Sequence, residues 1–161
     1  FRFATLYGVS PRMRFDLVVN LMTANAVMEN KIVVFGGNQW RPNLEVSDAA
    51  EACFKWVSSS IDKSGGQIFN VGSDNLNLRI FEIGEMVKKN IPGIELELKD
   101  KETDPRDYNV SFAKISKVLN FKTKKNIPAG ILDIKKLIES KKIKNPNDPQ
   151  YNNYRFLSKN K

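Results

Sequence analysis

Residues 33–52 are the segment that most constrains how this chain folds. An apolar run ends at the Gly36-Gly37 pair, and a second extended segment follows at residues 43–46. Ser47 or Asp48 then stands where a helix N-cap is expected. The order strand, glycine turn, strand and capped helix, with the helix running to about residue 59, predicts a chain in which strands and helices alternate.

A single arginine, Arg41, lies between the two predicted strands, just after the glycine turn. The planar guanidinium of an arginine pairs bidentately with phosphate, so this position indicates an anion-binding site. Two alternatives stay open: a solvated arginine in a hairpin, or an arginine that braces the turn after Gly36-Gly37.

The rest of the chain continues the alternation. Further strands are predicted at residues 2–7, 32–35, 67–71 and 94–99, and helices at residues 16–29, 78–89, 112–119 and 128–141. On the first helix, apolar and amide side chains recur near helical spacing at Leu17, Asn20, Leu21, Ala24 and Met28. From residue 145 the polar stretch predicts a loss of regular structure, with four side chains available to dock on the body: Tyr151, Tyr154, Phe156 and Leu157.

Composition excludes several classes of function. The chain has no histidine, which excludes Ser-His-Asp chemistry and the common histidine-ligated metal sites. Its one cysteine, Cys53, excludes an internal disulfide and fits a reducing cytoplasm; its place in an apolar helix predicts a buried structural thiol. No apolar run approaches the ~20 residues that span a bilayer.

The net charge of +8 is concentrated at the C-terminal end. Residues 1–121 carry 15 Lys/Arg and 15 Asp/Glu, whereas residues 122–161 carry 11 Lys/Arg and 3 Asp/Glu. A basic region can bind polyanions without specificity. Its lysines are scattered and match no nucleic-acid motif, so a solvated basic tail is the interpretation that the pattern favours.

Several motifs occur together with the Arg41 segment in a fixed order. They are residues 2–8 (Arg-Phe-Ala-Thr-Leu-Tyr-Gly), 69–73 (Phe-Asn-Val-Gly-Ser), 104–108 (Asp-Pro-Arg-Asp-Tyr) and 112–121, a helix ending in Leu-Asn-Phe. This set resembles the extended short-chain dehydrogenases, the nucleotide-sugar epimerase and dehydratase family. The family patterns are L-R-x-x-x-x-Y-G-P, F-G-x-x-x-x-R-x-x-x-x-V-x-D, N-V-G and a D-x-S-K-like helix ending in L-G-F. The resemblance covers roughly residues 1–140.

Two signatures of that family do not occur in the sequence. There is no G-x-x-G-x-x-G turn, which binds the dinucleotide phosphates, and no tyrosine is followed four residues later by lysine. We therefore interpret the chain as the C-terminal, substrate-binding part of such an enzyme, without its cofactor-binding and catalytic half. NAD or NADP is expected in the intact enzyme, and no dinucleotide is expected to bind this chain tightly.

The resemblance implies a fold and a division of the chain. The fold is α/β, the C-terminal part of a Rossmann-like extended short-chain dehydrogenase with a small α/β substrate-binding lobe. Residues 1–11 and 47–72 are expected to pack on the missing Rossmann half, the remainder of residues 1–140 to form the lobe, and residues 141–161 to form a basic polar tail. The intact enzyme is expected to be a cytoplasmic homodimer.

The resemblance also assigns candidate site residues. Arg41 is expected to pair with the diphosphate of a nucleotide sugar, Asn20 to donate to a phosphate oxygen, and Arg106 to reach the phosphate or ribose. Thr5 is expected to face the substrate, and the strand residues Val33 and Phe35 are expected to line the slot for the base. Ala4 and Tyr7 are assigned to the nicotinamide side.

Each of these assignments has a structural alternative. Asn20 is otherwise a helix-surface amide and Arg106 a solvated loop charge, while the apolar candidates are otherwise core residues. Two departures from the family leave the sugar undetermined: Val9 replaces the proline after Tyr-Gly, and Glu45 stands in a position that is commonly histidine.

Two classes of function follow. The first is the substrate-binding half of an NAD(P)-dependent nucleotide-sugar epimerase, dehydratase or decarboxylase. The second is a noncatalytic module that binds nucleic acid or another polyanion through its basic C-terminal region. Mutating Arg41 and deleting residues 141–161 are expected to have opposite effects in the two cases.

Overall fold

The computed structural model describes residues 1–100 and 106–159, with side chains to residue 158. The strands are β1 (Arg2–Phe3), β2 (Thr5–Tyr7), β3 (Lys31–Phe35), β4 (Trp40–Glu45), β5 (Asn70–Val71), β6 (Asn77–Arg79) and β7 (Glu95–Lys99). The helices are α1 (Val18–Glu29), α2 (Val46–Val57), α3 (Ile61–Ser64), α4 (Ile80–Asn90), α5 (Ala113–Leu119), α6 (Ile127–Glu139) and α7 (Asn153–Lys159). Short 3₁₀ turns occur at Asp74–Leu76 and Pro149–Tyr151. The predicted α/β fold is confirmed.

The strands form three small sheets. β1 pairs with β5 in parallel, and β3 pairs with β7 in parallel. β4 has two partners, because its first half pairs antiparallel with β6 and its second half pairs parallel with β2. The strands on either side of the glycine turn, β3 and β4, therefore lie in different sheets, and the hairpin alternative for Arg41 is wrong.

Apolar side chains form two cores. The larger core joins α1, α4 and α6 to β3, whose Ile32 and Val34 point inward at every second residue. On α6 the inward stripe has helical spacing: Ile127, Ile131, Ile134 and Ile138. The second core lies around β5 and α5, with Phe69, Ile115 and Phe121 at its centre. The candidate site lies where β2 and β4 meet the larger core.

Local hydrogen bonds explain where the helices begin. The N-cap of α2 is Glu45, whose carboxylate accepts from Ser47 N at 2.7 Å, so the prediction of Ser47 or Asp48 as the cap is wrong. Asp48 is buried and accepts from the backbone N–H groups of Lys124 and Lys125 at 3.0–3.1 Å. It thereby ties α2 to the segment that leads into α6.

Several predicted boundaries need correction. The strand at residues 2–7 is interrupted at Ala4, where the pairing changes from β5 to β4. The strand at residues 67–71 shortens to β5, and Leu78 lies in β6 rather than in the following helix. These limits depend on which segments find a partner strand, a tertiary property.

Burial also differs from the predicted pattern. Cys53 is exposed, so the expectation of a buried thiol is wrong, because the solvent side of α2 is itself apolar. On α1, Leu21 and Met28 are exposed, whereas Asn20 and Thr23 are buried. That helix packs on two sides, so its buried face is wider than one stripe.

The C-terminal region is more ordered than the sequence predicts. Ile143 is buried and Tyr151 packs against the larger core, whereas Tyr154 and Leu157 are exposed. Residues 141–158 therefore include docked structure, which corrects the expectation of a polar tail without regular elements. Within the described ranges, no helix combines the length and apolarity that crossing a membrane requires.

Candidate functional site

Two adjoining cavities lie between β2, β3, β4 and the start of α1. The first, of about 360 Å³, is lined by Tyr7 and by residues after β2, and we call it the Tyr7 cavity. The second, of about 290 Å³, is lined by Arg41, by β3 and by one face of α1, and we call it the Arg41 cavity. Thr5, Leu17 and Tyr108 line both cavities. Together the two form one cleft of the size that small ligands occupy.

The Arg41 cavity is built around a buried guanidinium. Arg41 lies within β4 and is only 6% exposed. Its Nη1 donates to Trp40 O at 2.8 Å and also to Arg106 O, and the guanidinium lies over the Tyr108 ring at 5.3 Å. A positive charge that has been removed from water in this way interacts strongly with an anion that enters the same cavity.

Contacts from β4 and β6 hold the segment after residue 105 across the cavity. Trp40 N donates to Asp107 Oδ1 at 2.8 Å. Further along, the amide of Asn77 exchanges two hydrogen bonds with the backbone of Val110, at 2.9 and 3.1 Å. Arg41 therefore holds this segment in place, whereas the Gly36-Gly37 turn has its own bonds to Lys99 O and Gln39 Oε1. Asp104 and Pro105 of the predicted motif lie outside the described residues.

Asn20 fixes the wall of the Tyr7 cavity. Its Oδ1 accepts from Gly8 N at 3.1 Å and its Nδ2 donates to Arg14 O at 2.9 Å, so one buried amide holds both ends of the loop after β2. The alternative of a helix-surface amide is wrong. A glycine is required at position 8, because φ is +107° there and an added Cβ lies 2.4 Å from Glu45 Oε1.

Tyr7 is a neutral group in this cleft. Burial raises the pKa of its hydroxyl above the usual value, and the carboxylates of Glu45 and Asp48 raise it further. The hydroxyl has no hydrogen-bond partner within the described part of the chain. Tyr7 therefore stays protonated and cannot act as a base at neutral pH.

The fold brings all predicted site residues to this cleft. Five of the six substrate candidates line the Arg41 cavity: Thr5, Val33, Phe35, Arg41 and Arg106. The sixth, Asn20, and the two cofactor candidates, Ala4 and Tyr7, line the Tyr7 cavity. Their roles towards a ligand stay predictions. Ala4 and Tyr7 are also buried core residues, whereas Arg106 is exposed at the rim.

Some lining residues were not identified from the sequence. Arg12 and Arg14 line the Tyr7 cavity, and Gln39 and Tyr108 line the Arg41 cavity. The alternation Arg-Met-Arg at residues 12–14 is the signal for the first pair, because it places two cations on the same side of an extended loop. Gln39 carries no such signal.

The residues of this cleft do not by themselves fit a dinucleotide. Dinucleotide phosphates need a glycine-rich turn that leads into a helix N-terminus, and the sequence has no such motif. Among residues 1–100 and 106–159, no group of three Asp, Glu, Cys or His side chains is placed to hold a metal ion. The cleft therefore offers cations, amides and apolar walls.

Comparison with solved structures identifies the fold. An NAD-dependent NDP-hexosamine 5,6-dehydratase of tunicamycin biosynthesis matches 89% of this chain and 46% of its own, at 19% identity and a TM-score of 0.73. The UDP-glucose 4-epimerase of Thermotoga maritima, solved with UDP-glucose, matches 86% and 45%, at 19% identity and a TM-score of 0.72. A mutant UDP-glucuronic acid 4-epimerase of Bacillus cereus, solved with UDP-4-deoxy-4-fluoro-glucuronic acid and NAD, matches 86% and 44%, at 20% identity and 0.72.

These similarities confirm the resemblance at the level of the fold. The chain has the Rossmann-like α/β fold of part of an extended short-chain dehydrogenase of the epimerase and dehydratase type. It spans about half the length of the structures that it matches. No protein-family model matches the sequence.

Proposed function

We propose that this chain is the substrate-binding part of an NAD(P)-dependent nucleotide-sugar epimerase or dehydratase. The observation that carries the proposal is the buried Arg41 guanidinium, in a cavity that also gathers Arg106, Thr5, Val33 and Phe35. A nucleotide sugar has an anionic centre, an aromatic base at one end and a hydroxylated ring at the other. The cleft offers a complementary group to each of these parts.

In this proposal each residue has a distinct task. Arg41 and Arg106 pair with the diphosphate, and the β3 side chains Val33 and Phe35 flank the base. Thr5 lines both cavities and presents its hydroxyl to the sugar. Asn20 uses one Nδ2 hydrogen on Arg14 O and directs the other to a phosphate oxygen.

The reacting groups belong to a complementing Rossmann half. The nicotinamide cofactor supplies hydride transfer, and this chain contributes Ala4 and Tyr7 to the wall beside it. The surface that receives this half is apolar: Phe1, Phe3, Phe54, Trp56 and Val57 are all exposed on residues 1–11 and 47–72. An exposed apolar patch of this kind marks an interaction surface. By the same resemblance we infer a homodimer and a cytoplasmic location for the intact enzyme; the one cysteine of this chain, Cys53, is free, which fits a reducing compartment.

Titration of Arg41 variants tests the proposal. With the Rossmann half present, Arg41→Ala is expected to weaken nucleoside-diphosphate binding by roughly 10- to 150-fold, because a charge-assisted bidentate contact contributes about 1.5–3 kcal/mol. Arg41→Lys restores only part of the affinity, because an ammonium lacks the fork. Calorimetry with UDP, dTDP, GDP and CDP also identifies the base.

Arg79→Ala is the matched control for this titration. Arg79 also stacks on an aromatic ring of the neighbouring strand, with its guanidinium 5.1 Å from the Trp40 ring, but it does not line either cavity. Circular dichroism establishes that each variant is folded. Unchanged affinity in folded Arg41→Ala contradicts the proposal and leaves Arg41 with a structural role alone.

The polyanion-binding alternative gains no support from the described lysines. Lys124 Nζ lies 3.5 Å from Glu51 and Lys135 Nζ lies 3.0 Å from Glu139, so part of the basic charge is paired on the chain. Replacing Lys141, Lys142 and Lys144 with glutamine tests the alternative and keeps the docked residues after 148. Nucleoside-diphosphate binding is expected to survive that change.

A further inference from the structure

The loop between β2 and α1 forms one wall of the Tyr7 cavity. Gly8, Ser10, Arg12, Arg14 and Leu17 all line it, yet the loop has no strand or helix of its own. Its position must therefore be set by contacts with other parts of the chain.

The larger core and α1 hold the loop in place. Met13 and Phe15 are buried in the larger core, and the Asn20 amide binds Gly8 and Arg14. Arg12 precedes the buried Met13 and is exposed, and none of these contacts involves its side chain.

Residues 149–158, near the C-terminal end, also contact the loop. Phe15 N donates to Tyr151 O at 3.0 Å, and the two rings meet edge to face at 5.5 Å and 90°. Five residues later, in α7, the Phe156 ring lies 5.2 Å from the Arg12 guanidinium carbon. Residues 149–158 thus contact the loop through the backbone and ring of Tyr151 and through the ring of Phe156.

Hydrogen bonds within residues 148–155 define the conformation of this segment. Asp148 Oδ1 accepts from Gln150 N at 3.0 Å, and Tyr151 N donates to Asp148 O at 2.9 Å. Asn152 Oδ1 accepts from Arg155 N at 3.0 Å, which starts α7 in the direction of Arg12. The ring of Phe156 is therefore presented by a hydrogen-bonded element.

We propose that residues 149–158 form a strap that holds the loop after β2 and positions the Arg12 guanidinium at the Tyr7 cavity. Phe156 is the positioning residue, since a cation is attracted to the face of an aromatic ring. Arg12 then adds a positive charge to the cleft beside that of Arg41. The strap itself is independent of the proposed function, whereas the use of Arg12 on a phosphorylated ligand rests on it.

Nuclear magnetic resonance of the arginine side chains in the full chain tests the strap. The Arg12 Nε–H resonance is expected to carry a ring-current shift, which Phe156→Ala and Phe156→Leu abolish and Phe156→Tyr preserves. The Phe15 amide is expected to exchange about two- to fivefold faster in Phe156→Ala, the factor that matches a cation–π contact at a partly exposed site. Arg155→Ala, on the same helix, is the control and should change neither signal.

A Phe15 amide that exchanges as slowly in Phe156→Leu as in Phe156→Tyr overturns the proposal, because packing alone would then account for the contact. An unshifted Arg12 signal in wild type also overturns it, because the ring then does not lie over the guanidinium. The binding arm uses UDP, dTDP, GDP and CDP with the Rossmann half present. There Phe156→Ala should weaken binding by about two- to fivefold and Phe156→Tyr should not. Wild-type protein that binds none of the four contradicts the proposed function, while the resonance data still decide the strap.

Discussion

Buried polar side chains are concentrated where β2 meets β4 and α2. Asp48 has three backbone hydrogen bonds, and the Glu45 carboxylate accepts from Ser47. Tyr7 is only 1% exposed, and its hydroxyl has no hydrogen-bond partner among the described residues. A buried hydroxyl without a partner loses its hydrogen bonds to water and gains none in return.

We expect Tyr7→Phe to leave stability unchanged or raise it by up to about 1 kcal/mol, because the change removes only the unpartnered oxygen. Tyr7→Ala removes the ring as well and should cost about 3–5 kcal/mol. Urea unfolding of the two variants measures both values. A loss of more than about 1 kcal/mol in Tyr7→Phe indicates that a bound water or ligand group satisfies the hydroxyl.

At the scale of elements, the contact of α6 with β2 depends on a residue without a side chain. An added Cβ at Gly130 lies 2.5 and 2.8 Å from two ring carbons of Tyr7. The ring therefore packs directly on the helix backbone. At Gly84, on α4, the nearest atoms are the side-chain methyls of Val34 and Leu96, at 3.1 and 3.3 Å, so an added methyl there requires a shift of only a few tenths of an ångström.

Gly130→Ala is expected to destabilise the protein by about 1–3 kcal/mol through overpacking, in spite of the roughly 1 kcal/mol by which alanine favours a helix. Gly84→Ala is the matched control and should stay within about 1 kcal/mol of wild type, because slight crowding and the helix preference for alanine oppose each other there. Thermal or urea unfolding of both variants provides the comparison. Equal effects at the two positions contradict the close approach of Tyr7 to α6.

The β3–β7 pair carries charges that respond to pH. Hydrogen bonding to Lys31 lowers the pKa of Glu97 below its usual 4.5, and hydrogen bonding to Glu97 and Glu95 raises the pKa of Lys31 above 10.5. A lowered carboxyl pKa stabilises the fold above pH 4.5, and that stabilisation is lost as the pH falls through the lowered value. For Lys31 it is present below pH 10.5 and lost as the pH rises through the raised value.

Glu97→Gln is therefore expected to be less stable than wild type at neutral pH and to converge with it on acidification below pH 4.5. Urea midpoints measured from neutral pH downward test this. Since both groups are partly exposed, added salt should reduce the neutral-pH difference. If the difference in urea midpoint between Glu97→Gln and wild type stays constant over the whole acid range, the charge of Glu97 is not its cause.

At the scale of the whole molecule, the chain has a cleft lined by Arg41 and an exposed apolar surface, but its sequence has no glycine-rich phosphate-binding turn. We expect the isolated chain to retain neither NAD nor NADP and to catalyse no sugar conversion. Equilibrium dialysis with each dinucleotide is the measurement. Stoichiometric retention by the 161-residue chain contradicts this prediction, and activity that appears only after a Rossmann half is added supports it.

The sequence by itself determined the class of fold and part of the lining of the cleft. Hydrophobic periodicity located the helices now named α1, α4, α5 and α6 to within two residues at each end. The helices α4 and α6 each pack an apolar stripe against the body, whereas the buried face of α1 is wider than one stripe. The resemblance named eight residues that line the cleft, whereas Arg12, Arg14, Gln39 and Tyr108 were not identified from the sequence.

Tertiary structure alone decided which strands pair and which side chains are buried. β3 and β4 adjoin in the chain but lie in different sheets, since each has a partner that is distant in sequence. Cys53 is exposed, and Phe156 reaches Arg12 from the opposite end of the chain. These outcomes depend on contacts between residues that are distant in sequence, so a short segment of sequence does not predict them. The same contacts set the positions of the charges in the cleft.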